Sequence, residues 1–317
     1  MKKIILSFTA LVFTLSINAQ LDRSVMPKGG PSPKIKLDKP KEFKLKNGIR
    51  VLVVENHKLP RINYSLRFDR KPIVEGEKTG VISLLGSMLG NGTTNIPKDD
   101  FNEEVDFLGA GINVGFGSGF AFTLTKNNEK VLDLFSDAVI NPLLTEEEFE
   151  KEKDKLIEGL KSQKKDIDAI SGRVGDALSY GKSHAYGEFI SEQTIDNIKF
   201  EDILEYHAKY FIPNNVYIVV IGDVNYKEVK SLISEKFGVW KKGKTINDPE
   251  PTLTDNVTLT EINFVDLPTA TQSAIQVTNN VNLKMNDEDY FAALMANDIL
   301  GGGGEGYLFK NLREDKG

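Results

Sequence analysis

Three kinds of side chain in this sequence could take part in catalysis: histidines, serines and clustered acids. The three histidines, His57, His184 and His207, are scattered among unrelated segments. A zinc-binding helix needs two imidazoles close together on one face, and these residues do not provide such a pair. We interpret His184 as part of a structural loop and His207 as a structural residue on a helix.

Two serines, Ser83 and Ser87, lie four residues apart in an apolar stretch. A serine nucleophile needs a base and an acid that orients the base. Neither serine stands in the Gly-x-Ser-x-Gly turn that exposes such a nucleophile. Their apolar neighbours favour a position in the packed core.

Clustered acids and glycines give no stronger signal. The acidic run Glu146–Asp154 is interleaved with Lys151 and Lys153, which is typical of a solvated helix face rather than a calcium site. The glycines Gly301–Gly304 lack the Lys-Ser/Thr pair of a phosphate-binding loop. Cysteine is absent, which excludes disulfides, a lipid-anchored cysteine, a thiol nucleophile and every cysteine-based metal site.

Composition predicts a folded chain of two domains. The chain has 317 residues, of which 40% are hydrophobic and 27% charged. The first 19 residues carry a basic start, an apolar run of about 14 residues and a small residue before the break, as in a secretory signal peptide. The run is short for a membrane span, so we expect export to the periplasm or cell envelope, with no transmembrane anchor in the mature chain.

Removal of residues 1–19 takes away two lysines and no acid, which shifts the formal charge from −6 to −8. Such a chain has no electrostatic reason to bind nucleic acid. The Pro- and Gly-rich residues 20–41 then form a leader or linker.

The elements that follow alternate in type. Asn47-Gly48 between apolar alternations predicts a β-hairpin over Phe43–Val54, with both turn residues suited to positive φ. A strand is expected at Ile62–Phe68, and two more around Gly117–Gly119. A last strand of this first domain is expected at Val216–Ile221.

Helices are expected between these strands. Their ranges are Thr79–Leu89, Lys98–Leu108, Asn128–Ile140, a long charged helix after Thr145, Phe200–Tyr210 and Lys227–Phe237. Thr145 and Glu148 have the spacing of a capping box. We take residues 42–240 as the first domain, 241–257 as a linker and 258–317 as the start of a second domain. In that second domain we expect strands at Thr258–Phe264 and Ser273–Thr278 and a helix from Asp287 to Leu300. This order favours an α+β sandwich over a doubly wound sheet.

Short stretches spread from Phe43 to Gly317 share an order and a spacing with one known family. They are Leu45–Val54, Leu59-Pro60, Thr79-Gly80 with Gly92-Thr93, Gly109–Asn113, His184–Gly187, Tyr210–Asn215 running into Val219–Asp223, Leu267–Gln272, and Leu300–Gly304 with Leu312–Gly317. Together they resemble the insulinase/pitrilysin metallopeptidases, or inverzincins. The resemblance implies an insulinase/mitochondrial-processing-peptidase-like α/β sandwich with largely antiparallel sheets and two homologous domains, the second incomplete here.

The family's chemistry depends on a helix with the motif H-x-x-E-H, whose two histidines bind zinc while the glutamate activates the metal-bound water. On the matching helix of this sequence, the histidines are replaced by Ser83 and Ser87 and the glutamate by Gly86. The glutamate that supplies the third ligand falls at or beside Gly159, next to Glu158. The resemblance therefore implies a chain without the zinc ligands and the general base, and zinc is expected only in a partner subunit.

Arg313 is the one expected contributor to a substrate site. In two-subunit relatives, the subunit without zinc donates an arginine and a tyrosine to the substrate at its partner's zinc, and Arg313 stands where that arginine is expected. A guanidinium can hydrogen-bond a peptide carbonyl and stabilise developing negative charge. The alternative is a surface arginine at a helix end. The tyrosine would follow Gly317, and the family's second domain needs about a hundred more residues.

Three functions remain open from the sequence. The first is a catalytically inactive subunit of an exported peptidase, which forms a chamber for peptide or unfolded polypeptide with a zinc-bearing homologue. The second is a structural or assembly subunit, since the family also supplies core proteins to respiratory complexes. The third is an independent peptide-binding protein.

Overall fold

The computed structural model describes residues 30–31, 39–246 and 254–317. Contacts divide the chain into a short unit, Met1–Lys39, and a compact unit, Pro40–Gly317. The fold described below is that of the second unit. The expected signal peptide lies outside the described residues, as does most of the expected leader.

Six strands and nine helices make up the described part of the compact unit, together with short helical turns. The strands are β1 (Lys41–Lys44), β2 (Arg50–Glu55), β3 (Arg61–Phe68), β4 (Gly111–Val114), β5 (Ser118–Leu124) and β6 (Val216–Gly222). The helices are α1 (Val81–Met88), α2 (Lys98–Phe107), α3 (Asn128–Ile140), α4 (Glu146–Gln163), α5 (Ile167–Tyr180), α6 (Glu192–Asp196), α7 (Phe200–Tyr210), α8 (Tyr226–Gly238) and α9 (Tyr290–Gly301). A short helical turn at Tyr307–Phe309 leads into a π-helical segment at Lys310–Asp315.

All six strands form one sheet in the order β1-β2-β6-β3-β5-β4. Only the pairing of β2 with β6 is parallel, and the other pairings in this sheet are antiparallel. The expectation of an α+β fold with a largely antiparallel sheet is therefore confirmed. The strand β6 comes from far along the chain and lies between β2 and β3, with both of which it pairs.

The helices cover one face of the sheet. Alternate residues of the central strands point towards them and are almost completely buried. These inward-facing residues are Val51 and Val53 on β2, Ile62, Tyr64 and Leu66 on β3, Ala121 on β5, and Ile218 and Val220 on β6. They form one hydrophobic core with the apolar faces of α1, α3, α7 and α8. Burial of this surface is the main stabilising contribution to the unit.

The turn of the first hairpin differs from the expected two-residue turn. Strands β1 and β2 do pair as an antiparallel hairpin, but residues 45–49 connect them. Only Gly48 has positive φ, at 109°. Asn47 is instead a buried anchor whose side-chain amide donates to the carbonyls of Phe237 (2.7 Å) and Trp240 (3.0 Å) at the end of α8. Tertiary contact therefore decides the conformation of Asn47.

The capping box expected at the start of α4 is half present. The side chain of Thr145 accepts a hydrogen bond from the backbone N–H of Glu148, as expected of an N-cap. The carboxylate of Glu148 forms an ion pair with Lys98, 2.6 Å away on α2, instead of turning back to the cap. The ammonium group of Lys98 on α2 competes with the helix cap for the carboxylate of Glu148. The spacing of Thr145 and Glu148 cannot show this competition, because Lys98 lies far away in the sequence.

Residues 254–317 contain the expected helix, observed as α9, but no strand among the described residues of this segment. The predicted strands Thr258–Phe264 and Ser273–Thr278 are therefore wrong. Apolar residues such as Ile262, Phe264 and Val277 are exposed there. A strand exists only with a partner for its backbone hydrogen bonds, and an apolar pattern alone does not supply one.

The helices α5 and α6 are not among those predicted from the sequence.

We predict that Asn47→Ala lowers the free energy of unfolding by about 2 kcal/mol, because two carbonyls at the end of α8 lose their buried donor. Chemical denaturation of the two proteins measures the difference. The matched control is Asn63→Ala, on an exposed face of β3, for which we expect a change below about 0.5 kcal/mol. Equal effects of the two substitutions would contradict the anchoring role.

Candidate functional site

The helix α1 carries Ser83, Gly86 and Ser87, which the sequence resemblance matches to the zinc motif. Its buried residues are Val81, Leu84, Leu85 and Met88, while Ser83 and Ser87 are exposed and Gly86 is half-buried. The prediction that the serines pack in the core is wrong. The helix is amphipathic, and its periodicity turns positions 83 and 87 to the same outer face.

The helix α4 packs against α1 and carries the remaining position, Gly159. Gly159 is exposed on α4, and no atom outside its own helix turn lies within 4 Å of the position that a Cβ would occupy. The neighbouring Glu158 is exposed and forms an ion pair with Lys161 at 2.8 Å. The two helices on which the sequence resemblance places the zinc-ligand positions are thus in contact with each other.

A turn between two strands forms a further wall of this region. A Cβ at Gly86 would lie 3.7 Å from the backbone nitrogen of Phe116, which is in the connection between β4 and β5. Strand β4 is the outer strand of the sheet on this side. The turn between β4 and β5 thus lies near Gly86 of α1, and β4 itself is an edge strand whose outward backbone groups are unpaired within the sheet.

The donor set on these helices does not fit zinc. Serine hydroxyls are poor zinc ligands, and glycine supplies neither a ligand nor a base. Among the described residues, no group of three or more His, Cys, Asp or Glu side chains is arranged to hold a metal ion. The zinc-dependent step of the family cannot be carried out by Ser83, Gly86, Ser87 and Gly159.

Two half-buried acids, Glu75 and Glu188, organise the beginning of α1. The carboxylate of Glu75 accepts hydrogen bonds from the backbone N–H groups of Gly80 (3.1 Å) and Ile82 (2.8 Å). The carboxylate of Glu188 accepts in turn from the N–H groups of Glu75 and Gly76, both at 2.9 Å. These contacts satisfy donors that a helix start leaves unpaired, and they attach α1 to the loop before α6.

Burial raises the pKa of Glu75 to about 6; its hydrogen bonds with the helix N–H groups oppose this shift, and the nearby charge of Glu188 adds to it. The sequence alone does not identify either acid as a cap of α1. Glu75 lies five residues before Gly80, outside the spacing of an ordinary N-cap, so no local pattern marks it. Glu188 is more than a hundred residues away along the chain.

The histidines lie in three different surroundings. His57 is exposed, with its Nδ1 2.7 Å from a carboxylate oxygen of Asp223. The contacts of Asp223 with His57 and Thr125 lower the pKa of its carboxyl. His184 is buried, stacks on Tyr180 with ring centroids 5.2 Å apart, and accepts the N–H of Tyr186 at its Nδ1.

His207 is held neutral by its environment. Its Nε2 is buried without a hydrogen-bond partner in the described structure. Its ring stacks on Phe211 with centroids 4.8 Å apart. Burial lowers the pKa of His207 to about 4, so the imidazole carries no charge at neutral pH.

Arg313 lies in the segment Lys310–Asp315 and is exposed. Its guanidinium carbon is 5.5 Å from the centroid of the Phe309 ring. This contact is local to the C-terminal segment. The substrate contact expected of Arg313 stays a prediction.

The sheet face opposite the helices is open to solvent. Phe120 and Phe122 on β5 are 42% and 45% exposed, and their ring centroids are 6.1 Å apart. Ile221 on β6 is 43% exposed. Large apolar side chains on an uncovered sheet face are typical of a surface that contacts another molecule.

Two family comparisons match this chain. The family described as Insulinase (Peptidase family M16) matches residues 72–174. The domain described as Peptidase M16 inactive domain matches residues 197–317. The first match contains α1 and α4, and the second begins before α7 and runs to the end of the chain. The chain belongs to the insulinase-like M16 peptidase family.

Individual relatives agree with this assignment. The uncharacterized zinc protease YmxG of Bacillus subtilis is 24% identical over 286 residues, covering 87% of this chain and 68% of its own length. The crystal structure of a peptidase M16 inactive domain from Pseudomonas fluorescens superposes with a TM-score of 0.69 at 21% identity, covering 88% of this chain and 68% of that one.

The periplasmic protease PqqL of Escherichia coli gives a TM-score of 0.59 at 16% identity, over 70% of this chain and 26% of its own. At these identities the structures show a shared fold.

This chain spans about two thirds of the length of its curated relative YmxG. Of the helices in the described residues, none is both long and apolar enough to cross a membrane.

We predict that Glu75→Gln flattens the dependence of stability on pH. Because the folded pKa of Glu75 is raised to about 6 from 4.5, its contribution to stability is fully present below pH 4.5 and is lost as the pH rises through about 6. Glutamine keeps an acceptor for the α1 N–H groups without the buried charge. The free energy of unfolding at pH 7 should rise by about 1–2 kcal/mol, with little change at pH 4.

Denaturation curves between pH 4 and 8 measure this effect. The control is Glu77→Gln, an exposed acid two residues away, which should leave the profile unchanged. A constant difference between natural protein and Glu75→Gln across the range would contradict the assigned role of the charge.

We predict that the four substitutions Ser83→His, Gly86→Glu, Ser87→His and Gly159→Glu together create a zinc site. The side chains have room, because a Cβ at Gly86 meets only ordinary contacts and one at Gly159 meets none. Two histidines and a glutamate are a ligand set that zinc accepts. Metal analysis after gel filtration should find about one zinc per chain in the variant, with much less in the natural protein and in a variant that has Gln at position 159. Stoichiometric zinc in the natural chain would contradict the interpretation of this site.

Proposed function

We propose that this chain is a catalytically inactive subunit of an exported zinc-peptidase-type complex, in which it forms a peptide-binding chamber with a zinc-bearing homologue. One observation carries the proposal. The helices α1 and α4 pack together, and Ser83, Gly86, Ser87 and Gly159, which the family resemblance matches to the zinc site, supply no zinc ligand and no base. A folded peptidase-like unit without these groups supports a role in binding.

The surroundings of α1 support a peptide ligand. Strand β4 is an edge of the sheet, and its turn to β5 lies near Gly86 of α1. An extended peptide can add to such an edge through main-chain hydrogen bonds, whatever its sequence. This mode of binding suits a subunit that holds polypeptide without cleaving it.

Arg313 is proposed to contact the substrate in the shared chamber. The side chain is exposed and belongs to the segment matched by the M16 inactive domain. An arginine near the scissile carbonyl stabilises the charge that develops there. In this scheme the partner's zinc performs the hydrolysis, and this chain orients the peptide.

The location is proposed to be the periplasm or the cell envelope. The support is the character of residues 1–19, with their basic start and apolar run. A fold shared with a protease described as periplasmic agrees with it.

A second candidate is an independent peptide-binding protein. The edge strand β4 and the open sheet face belong entirely to this chain. Peptide could therefore bind without a partner. Affinity for peptide in the isolated protein, combined with no effect on any zinc-bearing homologue, would favour this candidate.

The test combines this chain with a homologue that carries an intact H-x-x-E-H motif. We expect the two proteins to co-elute, and peptide hydrolysis to require both. Arg313→Ala should lower kcat/KM at least about tenfold, because one stabilising donor is lost from the transition state. Arg313→Lys should recover only part of the rate, since lysine keeps the charge without the planar fork.

The matched control is Lys316→Ala, which removes an exposed cation three residues away and should leave kcat/KM unchanged. Full hydrolysis by the homologue alone would overturn the proposed partnership. Equal rates for Arg313→Ala and the natural protein would overturn the role of the arginine while leaving the partnership standing.

A further inference from the structure

Two asparagines of the chain are each followed by glycine, in the pairs Asn47-Gly48 and Asn91-Gly92. In such a pair the backbone nitrogen of the glycine can attack the side-chain carbonyl carbon of the asparagine, because glycine has no Cβ to obstruct it. The bond from that carbon to Nδ2 breaks, and ammonia leaves with the proton of the glycine nitrogen. Water then opens the cyclic imide to aspartate or isoaspartate, so a carboxylate replaces the amide.

The fold holds both reacting groups of the pair Asn47-Gly48. The side-chain nitrogen of Asn47, which would leave, donates to the carbonyls of Phe237 at 2.7 Å and Trp240 at 3.0 Å. The N–H of Gly48, which would attack, donates to the carbonyl of Leu45 at 3.1 Å. Asn47 is also only 7% exposed. The reaction at Asn47 therefore requires these hydrogen bonds to break first.

The pair Asn91-Gly92 lies in the connection between α1 and α2 and is not held in this way. Asn91 is half-buried. Within the part of the chain that the structure describes, its side chain forms no hydrogen bond, and the N–H of Gly92 donates to no acceptor. The leaving group and the attacking nitrogen are therefore both without a partner that would restrain them.

Both pairs need their glycine. Gly48 and Gly92 have positive φ, at 109° and 92°. A Cβ at Gly48 would lie 3.0 Å from the carbonyl oxygen of Asn214, and one at Gly92 would lie 2.9 Å from the backbone nitrogen of Lys98. A larger residue would be strained at either position. The two pairs thus share the glycine requirement and differ in how the asparagine is held.

We propose that Asn91 is a site of spontaneous deamidation in the folded protein, while the fold protects Asn47 from the same reaction. The reaction consumes only water and releases ammonia, so it needs no partner and no cofactor. Its product carries one more negative charge in the connection that follows α1. This inference is independent of the proposed function.

The modified residue would lie between two close backbone contacts. A Cβ at Gly90 would be 3.0 Å from the backbone nitrogen of Val114 on β4, and Gly92 lies against Lys98 at the start of α2. Isoaspartate adds one methylene group to the main chain between these contacts. We therefore expect aged protein to unfold at a lower denaturant concentration than fresh protein.

The test incubates the folded chain at mildly alkaline pH in water enriched in heavy oxygen. Cleavage after glutamate then puts the two pairs in separate peptides, residues 43–55 and 78–103. Mass spectrometry measures the incorporated oxygen, and chromatography separates the aspartate and isoaspartate products. We expect Asn91 to convert at least about tenfold faster than Asn47, because the reaction at Asn47 must wait for a local opening of the fold.

Denaturant separates protection by the fold from the chemistry of the pairs themselves. Above the unfolding transition, the two rates should agree within about threefold, since the contacts that distinguish the pairs are lost. Through the transition, the rate at Asn47 should rise with the unfolded fraction.

Variants assign the reaction to Asn91. Asn91→Gln should abolish the fast conversion in residues 78–103, because glutamine would have to close a larger ring. The matched control in the same peptide is Asn95→Gln, which should leave the conversion unchanged. Asn95 precedes isoleucine rather than glycine, and its side chain donates to Asp137 at 2.8 Å. After equal incubation, the unfolding transition should shift in the natural protein and not in Asn91→Gln, with the fold of both checked by circular dichroism.

Several results would overturn the inference. The first is a lack of incorporated oxygen at Asn91 in the folded protein, and the second is a rate at Asn47 equal to that at Asn91. Incorporation that persists in residues 78–103 of Asn91→Gln would place the reaction at another asparagine. An unchanged unfolding transition in aged natural protein would overturn the effect assigned to the lengthened main chain.

Discussion

The pairing of β6 with β2 and β3 is the constraint on which the rest of the fold depends. This strand joins the N-terminal hairpin to the remainder of the sheet, in parallel on one side and antiparallel on the other. Its end is tightly fitted. A Cβ at Gly222 would lie 2.0 Å from the carbonyl oxygen of Arg61, and the φ of Gly222 is 141°, so glycine is required there.

Insertion of β6 gives the sheet its two different faces. Buried alternate residues such as Tyr64 and Val220 face the helices, while Asn63 and Ile221 face solvent on the same two strands. Because side chains alternate along a strand, covering one face with helices leaves a complete second face for other contacts.

The residues at positions 83 and 87 and the residues that hold α1 in the core lie on different faces of this helix. The buried side of α1, with Leu84 and Leu85, holds the helix in the core, and Glu75 satisfies the N–H groups at its beginning. Neither contribution involves the exposed positions 83 and 87. Catalytic ligands on an outer face can therefore be replaced at little cost to the fold, which accounts for a peptidase scaffold with serines and glycines at those sites.

The sequence by itself determined the features that depend on local pattern. The helices around Val131 and Ile203 and the strand from Val216 followed from periodicity, and the family followed from the order of short stretches such as Tyr210–Asn215. Only the tertiary structure decided that Asn47 is anchored at the end of α8 and that Glu148 forms an ion pair with Lys98. It also decided that Ser83 and Ser87 are exposed. It further decided that residues 258–264 form no strand, since no strand pairs with them in the described part of the chain. Asn47 and Glu148 each bind a residue that lies far away in the sequence. Local spacing fixes which side chains share a face, but only the assembled neighbours determine whether that face is buried, paired or left open to solvent.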